Sequence, residues 1–306
     1  MKQLIIHKFF YFSSLLYKII GPQNSYRLAM SPFGKFISQM IININDKNGT
    51  IIADIKYGFQ CEVSVYEYYI SGFLFLGETN PFETHLVRSL LKKNDVFIDV
   101  GAHIGWYALN AAQVVGSKGK VYAFEPNISV FEVLKRNKSL NHFQNLFSES
   151  IALSNKTGKR EFWLGDDMGG SFIKKNAERL TSDGRKITKT NVQTISLDKF
   201  CEVNNIQNIK MIKIDVEGAE LDVLKGSYNI LKKQSPYLLI EVIEECLIAN
   251  NTSKKELFLY LQKLGYIPYE FTGQELVKID SSYKGGSFNI FFSKNTIEQK
   301  ILLSKM

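Results

Sequence analysis

Phe97-Ile98-Asp99-Val100-Gly101-Ala102-His103-Ile104-Gly105-Trp106-Tyr107 is the stretch on which the reading of this chain turns. Val96–Val100 is an apolar run short enough for a buried strand, and it stops at a glycine. Trp106–Val115 then carries a helical pattern that closes at Gly116. Glycines between a strand and a helix let the backbone come close to a ligand, and the helix start offers unpaired N–H groups to an anionic group. Asp99, just before the loop, is placed to hold a ligand ammonium, directly or through water.

Moving outward, strands and helices alternate. Apolar runs over 121–124, 146–150, 211–214 and 237–242 read as strands, and 129–141, 217–231 and 254–264 as helices. Residues 266–271 and 288–293 read as a terminal antiparallel hairpin. This order predicts a mostly parallel sheet covered by helices on both faces. Residues 165–189, with Gly169-Gly170 and many polar side chains, read as a loop or insertion.

In such sheets an acid ending the second strand accepts hydrogen bonds from ribose hydroxyls. Phe124-Glu125-Pro126 supplies one, and 125 − 105 = 20 residues separate Gly105 from Glu125, as that role requires. A dinucleotide fingerprint, GxGxxG, would need a second glycine where His103 stands. The acid at Asp99 also repels a diphosphate but suits a methionine amine. The loop therefore favours S-adenosylmethionine over a nicotinamide dinucleotide, with Asp99, Gly101, Ala102, His103, Gly105 and Glu125 around the cofactor. A side chain at Gly101 is expected to stand where the cofactor passes. Glu83 and Thr84, upstream, are candidates to close over its methionine end.

Ile212-Lys213-Ile214-Asp215-Val216-Glu217-Gly218-Ala219-Glu220 ends a strand and opens a helix. Asp215 and Glu217 thus fall at the carboxyl edge of the sheet, beside the ligand crevice. Glu220 shares a helix face with Glu217, and it either lines the acceptor side or complements the helix dipole. Glu241, ending the next strand, either lines the acceptor side or is a solvated strand end. Lys213 pairs with one of these carboxylates or caps the strand.

Taken together these segments resemble the FkbM family of S-adenosylmethionine-dependent methyltransferases. The resemblance is carried by residues 97–107, Phe124-Glu125-Pro126, Ser196-Leu197-Asp198, residues 212–220, Leu224-Lys225-Gly226 and Leu239-Ile240-Glu241-Val242, in family order across 80–293. His103 departs from it, since the family more often has asparagine there. The resemblance implies a class I methyltransferase fold: a Rossmann-like doubly wound α/β sheet of seven strands, the last antiparallel. It also implies methyl transfer, usually to a hydroxyl oxygen, on glycans, polyketides or other small acceptors. An alcohol acceptor must lose its proton, and Asp215 and Glu217 are the candidate bases, with Lys213 as their partner and His103 a third candidate. Magnesium between Asp215 and Glu241 is a minor alternative, and no metal is expected.

Composition bounds the rest. At 306 residues, 45% hydrophobic and 22% charged, the chain buries a full core and is not disordered. No run of about eighteen apolar residues reads as a membrane span. Cys61, Cys201 and Cys246 form no CxxC pair, and His7, His85, His103 and His142 show no zinc spacing. The fit is to a reducing, cytoplasmic setting. The net charge of +8 raises a nucleic-acid methyltransferase as an alternative. Its basic doublets are dispersed, and neither a Pro-Pro-containing tetrapeptide nor a Pro-Cys nucleophile occurs, so no nucleic-acid partner is expected. A nicotinamide-dependent oxidoreductase on a Rossmann-like sheet is the other alternative.

Residues 1–79 read as an extension and 80–306 as the methyltransferase domain. Residues 36–75 are β-rich, with Lys47-Asn48-Gly49 as a turn signal. A helix over residues 1–20 gathers Leu4, Ile5, Phe9, Phe12, Leu16 and Ile19 on one face, with Lys2, Lys8 and Lys18 around it. That face either packs on the protein or makes peripheral contact with an anionic membrane.

Overall fold

The computed structural model describes residues 31, 36, 49–64, 77–165, 171–172, 187–271, 275–283 and 288–295. The helix expected over residues 1–20 lies outside them. Fourteen strands and eight helices are defined among the described residues. The hairpin β1 (Thr50–Asp54) and β2 (Gln60–Ser64) is followed by α1 (Pro81–Leu90), which opens on proline at its first turn, where the missing N–H costs nothing. The alternating part is β3 (Val96–Val100), α2 (Trp106–Val115), β4 (Lys120–Phe124), α3 (Ile128–Leu140) and β5 (Leu146–Glu149). A second set of strands follows: β6 (Ala152–Leu153), β7 (Gly158–Gly165), β8 (Ser171–Phe172) and β9 (Ile187–Ile195). The chain continues through α4 (Leu197–Val203), β10 (Ile209–Ile214), α5 (Glu220–Lys225), α6 (Tyr228–Lys233) and β11 (Tyr237–Glu241). It then forms α7 (Glu244–Ala249), α8 (Lys254–Lys263), β12 (Ile267–Phe271), β13 (Leu276–Lys278) and β14 (Asn289–Ser293).

The main sheet has eight strands in the order β13-β12-β14-β11-β10-β3-β4-β5. Strands β5, β4, β3, β10 and β11 are parallel, and β14 runs antiparallel between β11 and β12. This is the expected doubly wound sheet with its last strand reversed, plus β13 as an extra edge strand. Successive residues of the central strands enter opposite cores. Phe97, Met211, Leu239 and Phe291 pack with α2, α3 and the β1–β2 hairpin. Ile98, Ile212, Leu238 and Phe292 pack with α5, α6 and α8. A strand buried on both faces has no polar alternation, which is why these strands read as apolar runs. Reversal between β3 and β4 on one side and β10 on the other opens the crevice at the carboxyl ends of β3 and β10.

Residues 166–170 and 173–186 of the loop expected over 165–189 lie outside the described residues; at its two ends and at Ser171–Phe172 the chain forms parts of β7, β8 and β9, which join β6 in a separate four-stranded sheet, order β6-β9-β7-β8. The 217–231 helix is two helices, because Asp198 accepts hydrogen bonds from Asn229 and Ile230 N–H and starts α6 afresh. The turn between β1 and β2 lies at Ile55–Phe59, closed by Ile55 N–H to the Phe59 carbonyl at 2.8 Å; the turn signal at Lys47-Asn48-Gly49 precedes β1, and its residues 47 and 48 lie outside the described residues. The two last runs pair antiparallel as expected, β12 with β14, and β13 between them in sequence adds a strand on the far side of β12. The three cysteines are free and buried. Among the described residues no helix is long and apolar enough to cross a membrane.

Candidate active site

The first corner runs from β3 into α2. Gly101, His103 and Gly105 take φ of 77°, 52° and 94°, a left-handed sequence that reverses the chain twice before the helix. Gly101 and Ala102 N–H both donate to the Phe124 carbonyl, at 3.0 and 2.9 Å. Glu125, ending β4, holds the loop from the side: its Oε2 accepts from His103 N–H at 3.0 Å and its Oε1 from Asn127 N–H at 2.8 Å. Burial pushes the Glu125 carboxyl above its usual range, against the pull of the Asn127 amide. Asp99 is 1% exposed, and its Oδ2 has no hydrogen-bond partner. Burial raises its pKa to about 7, opposed by Lys213 and reinforced by Asp215. A buried carboxylate oxygen left unpaired is costly in a fold unless something else is meant to bind it.

The second corner runs from β10 into α5, one strand over, with Lys213 opposite Asp99 in the register. Lys213 is buried, its Nζ 2.9 Å from Asp215 Oδ2 and 5.1 Å from the centre of the Tyr107 ring. Burial works against its charge, but Asp215 and Glu241 outweigh it and hold Lys213 above its usual pKa. Burial likewise opposes the Asp215 anion, and the Lys213 ammonium prevails, keeping that carboxyl below the usual range. Asp215 nevertheless leaves 32% of its side chain exposed. Glu241, which shares a hydrogen bond with Asp215, is pushed up to about 10 by burial and by that neighbour. Of the two, Asp215, paired with the Lys213 ammonium, favours the charged form, and Glu241 favours the protonated one. Asp215, Glu217 and Glu241 each bring one carboxylate oxygen within 4.8 Å of the other two, the grouping among the described residues with room for a divalent cation.

The turn between β10 and α5 is held by Glu220 from its own helix and by Asn250, whose Nδ2 donates to the Gly218 carbonyl at 2.7 Å; Glu220 Oε2 has no hydrogen-bond partner. Glu217 has φ 53° and Gly218 φ 106°, so the helix starts only at Glu220. Glu220 is 2% exposed, and its Oε1 accepts from Val216 N–H at 3.2 Å and Gly218 N–H at 3.0 Å. It holds the turn that presents Asp215 and Glu217, and burial raises its pKa to about 7. A Cβ on Gly218 would stand 2.3 Å from the Cys246 carbonyl oxygen.

The two corners touch. A Cβ on Gly101 would lie 1.7 Å from the Asp215 carbonyl oxygen, so glycine is required there by the neighbouring strand's backbone. This is a reason in the fold itself, separate from the one expected from sequence, a side chain in the cofactor's path. Thr84 is fully buried, accepting from Trp106 Nε1 at 2.8 Å and donating to the Thr79 carbonyl at 3.0 Å, which makes it a packing residue under the loop. Glu83 lies nearer the site: burial raises its pKa, and the Lys213 charge pulls the other way.

Sequence reasoning missed Tyr107 as a site residue. Its buried hydroxyl is held far above its ordinary pKa by burial and by the charges of Glu83, Asp215 and Asp99. The signal was present in its position, two residues past Gly105 on the first turn of α2. Other motif residues turn out to be scaffold. Ser196 caps α4 by accepting from Lys199 N–H at 3.2 Å, and a Cβ on Gly226 would meet the Ser154 carbonyl oxygen at 2.0 Å.

Residues 99–268 match the family model described as the methyltransferase FkbM domain. The chain is 31% identical over 163 residues to the hexuronic acid methyltransferase AglP of Haloferax volcanii, covering 52% of this chain and 62% of that protein. It is 30% identical over 171 residues to the 2-O-methyltransferase NoeI of Sinorhizobium fredii, covering 51% and 67%. Among solved structures, methyltransferase FkbM from Methylobacillus flagellatus aligns over 74% of this chain and 53% of its own, at 16% identity and a TM-score of 0.42. The chain thus spans about three-fifths of the length of the first curated relative it matches. With the family model covering more than half of its residues and both corners inside the match, the chain belongs to the FkbM methyltransferase family.

Proposed function

We propose that this protein is an S-adenosylmethionine-dependent O-methyltransferase acting on a hydroxyl of a glycan, a lipid-linked glycan or another small acceptor. The observation that carries this reading is the unpartnered, buried Asp99 oxygen at the mouth of the glycine loop, one strand from the exposed Asp215 anion. An orphaned acceptor there suits the methionine ammonium. Glu125 has spent one lone pair of each oxygen on the loop, and a carboxylate has about four acceptor sites, so two remain for ribose hydroxyls. Gly101, Ala102, His103 and Gly105 supply the backbone around the cofactor. When bound, the cofactor supplies a methyl group already activated on a sulfonium.

The chain's own task is alignment and proton removal. Asp215 is the acceptor's base on this reading, because it is ionised and open to the crevice. Lys213 holds its charge, and Glu217 stands beside it. Glu241, on the protonated side of the pair, donates its one O–H to Asp215 and so orients it. The names of the relatives, a hexuronic acid methyltransferase and a 2-O-methyltransferase, support a sugar hydroxyl as the acceptor.

Titration calorimetry with S-adenosylhomocysteine and NAD tests the cofactor, and transfer of labelled methyl to a panel of neutral and uronic glycans tests the acceptor. Binding of NAD and not S-adenosylhomocysteine would replace this reading with the nicotinamide one. On the same proposal, residues 80–306 are the catalytic domain, residues 1–79 an extension, and the apolar face over 1–20 touches the cytoplasmic membrane surface. Vesicle flotation of the full chain, with and without Lys2, Lys8 and Lys18 changed to glutamate, decides that contact.

A further inference from the structure

The family match begins at residue 99, yet the hairpin at 50–64 reaches the glycine loop through one buried side chain. Asn137 sits on α3 with no exposure. Its Oδ1 accepts from Glu62 N–H at 2.6 Å, and its Nδ2 donates to the Glu62 carbonyl at 3.1 Å and the Ile104 carbonyl at 3.0 Å. One turn later, Asn141 repeats the pattern on Gln60: Oδ1 accepts from its N–H at 2.7 Å and Nδ2 donates to its carbonyl at 2.7 Å.

The match is geometric. Four residues of helix rise about 6 Å, and two residues of strand about 6.7 Å. Two asparagines spaced i, i+4 on α3 therefore present amides in step with alternate residues of β2. They pair its outer edge as a neighbouring strand would, while β1 pairs the inner edge. Asn141 spends its remaining donor on its own helix, at the Asn137 carbonyl. Asn137 spends its own on Ile104, between His103 and Gly105.

We propose that Asn137 is a positioning residue for the cofactor loop, and that the β1–β2 hairpin is part of the cofactor site's scaffold. The inference rests on the reading of that loop as the S-adenosylmethionine site. Asn137→Asp keeps the acceptor for Glu62 N–H but sets a carboxylate oxygen against the Ile104 and Glu62 carbonyls. Asn141→Asp makes the same change toward Gln60 and leaves Ile104 untouched.

The test is calorimetry with S-adenosylhomocysteine on full-length wild type and both variants, beside their melting temperatures. The expected result is similar loss of thermal stability in both variants, with affinity down tenfold or more in Asn137→Asp and within twofold of wild type in Asn141→Asp. Equal affinities in both variants, whether unchanged or equally reduced, overturn the proposal. A wild type that fails to bind overturns the cofactor reading itself, which separates the two failures. If Asn137→Asp does not fold, hydrogen exchange on wild type decides. Added S-adenosylhomocysteine must then slow exchange at residues 60–62 together with 101–105, and protection confined to the loop overturns the inference.

Discussion

Two corners of this sheet have the same local plan and differ in where their amides find partners. Both run from a buried parallel strand through a left-handed turn into a helix, side by side at one edge. At the Gly218 corner Glu220, on its own helix, takes up the Val216 and Gly218 amides, and Asn250 donates to the Gly218 carbonyl at 2.7 Å. At the Gly101 corner the braces are Glu125, just past β4, and Asn137 from α3. Each corner keeps one buried carboxylate oxygen with no hydrogen-bond partner, Glu220 Oε2 and Asp99 Oδ2. What differs is the strand-end acid: Asp215 is 32% exposed beside Lys213 and faces outward as a tool, whereas Asp99 is 1% exposed and suits a receptor. The difference is what separates a chemistry-bearing corner from a ligand-holding one on an otherwise repeated motif.

The sharpest way to break that contrast is at Asp215. If it is the base, Asp215→Asn lowers turnover by about 10²–10⁴ while S-adenosylhomocysteine affinity stays within a few-fold. Steady-state kinetics with a saturating acceptor, alongside calorimetry, measures both. Loss of affinity in step with turnover would move Asp215 into the receptor corner. Glu217→Gln, expected to do less, serves as its neighbour control.

Next comes the contact between the corners. Gly101→Ala pays for a left-handed alanine and for a collision with the Asp215 carbonyl, together about 2–5 kcal/mol of folding stability. Urea unfolding reads it directly, and a variant as stable as wild type would mean that the corners are free to separate.

A smaller effect is expected from Glu125→Gln. Its amide nitrogen must face either His103 N–H or Asn127 N–H, donor against donor, and cofactor affinity falls by about 1.5–3 kcal/mol. Unchanged affinity would show that the first corner does not depend on its outside brace.

The smallest effect is in pH. Asp99 titrates near 7 in the folded chain, raised mainly by burial. Its anion, the form that attracts an ammonium, therefore grows in between about pH 6 and 8. S-adenosylhomocysteine affinity should rise by up to about tenfold over that interval and be flat there in Asp99→Asn. The stability sign is opposite. A carboxyl whose pKa is raised on folding contributes stability below its unfolded value of about 3.9 that is lost as pH climbs through 7. Asp99→Asn should thus stabilise the cofactor-free protein at pH 8 and leave it unchanged below pH 4. Melting curves at the two pH values check it.

How much of this was legible follows the same division. The central strands were readable because burial on both faces leaves unbroken apolar runs, and glycine punctuates both corners. Asp99, Glu125, Asp215, Glu217 and Glu241 were readable because strand ends at a switch point converge. The β7–β9 sheet was not, since Gly158–Gly165 and Ile187–Ile195 carry lysine, threonine and asparagine, and among their described side chains only Val192 and Thr194 are buried. The break between α5 and α6 was hidden because Leu221, Leu224 and Leu231 keep a helical spacing across it. Gly226 ends α5, packed against the Ser154 carbonyl, and Asp198, some thirty residues upstream of α6, starts that helix afresh; the second of these has no local pattern to announce it. Thr84 carried the right residue type for a site, but its hydroxyl is taken up by Trp106 and the Thr79 carbonyl, and one oxygen of Glu220 is taken up by its own turn, a matter of side-chain direction that spacing does not encode.

The pairing of α3 with β2 also bears on how the chain is made. Glu62 precedes Asn137 by 75 residues. At a synthesis rate of roughly 5–20 residues per second, the outer edge of the hairpin waits about 4–15 s for the helix that covers it. An uncovered strand edge is a template for pairing with another chain. Until α3 is made, the outer edge of the 50–64 hairpin lacks the cover it has in the folded chain. Slow translation between the two segments would lengthen that interval, and the completion of α3 ends it.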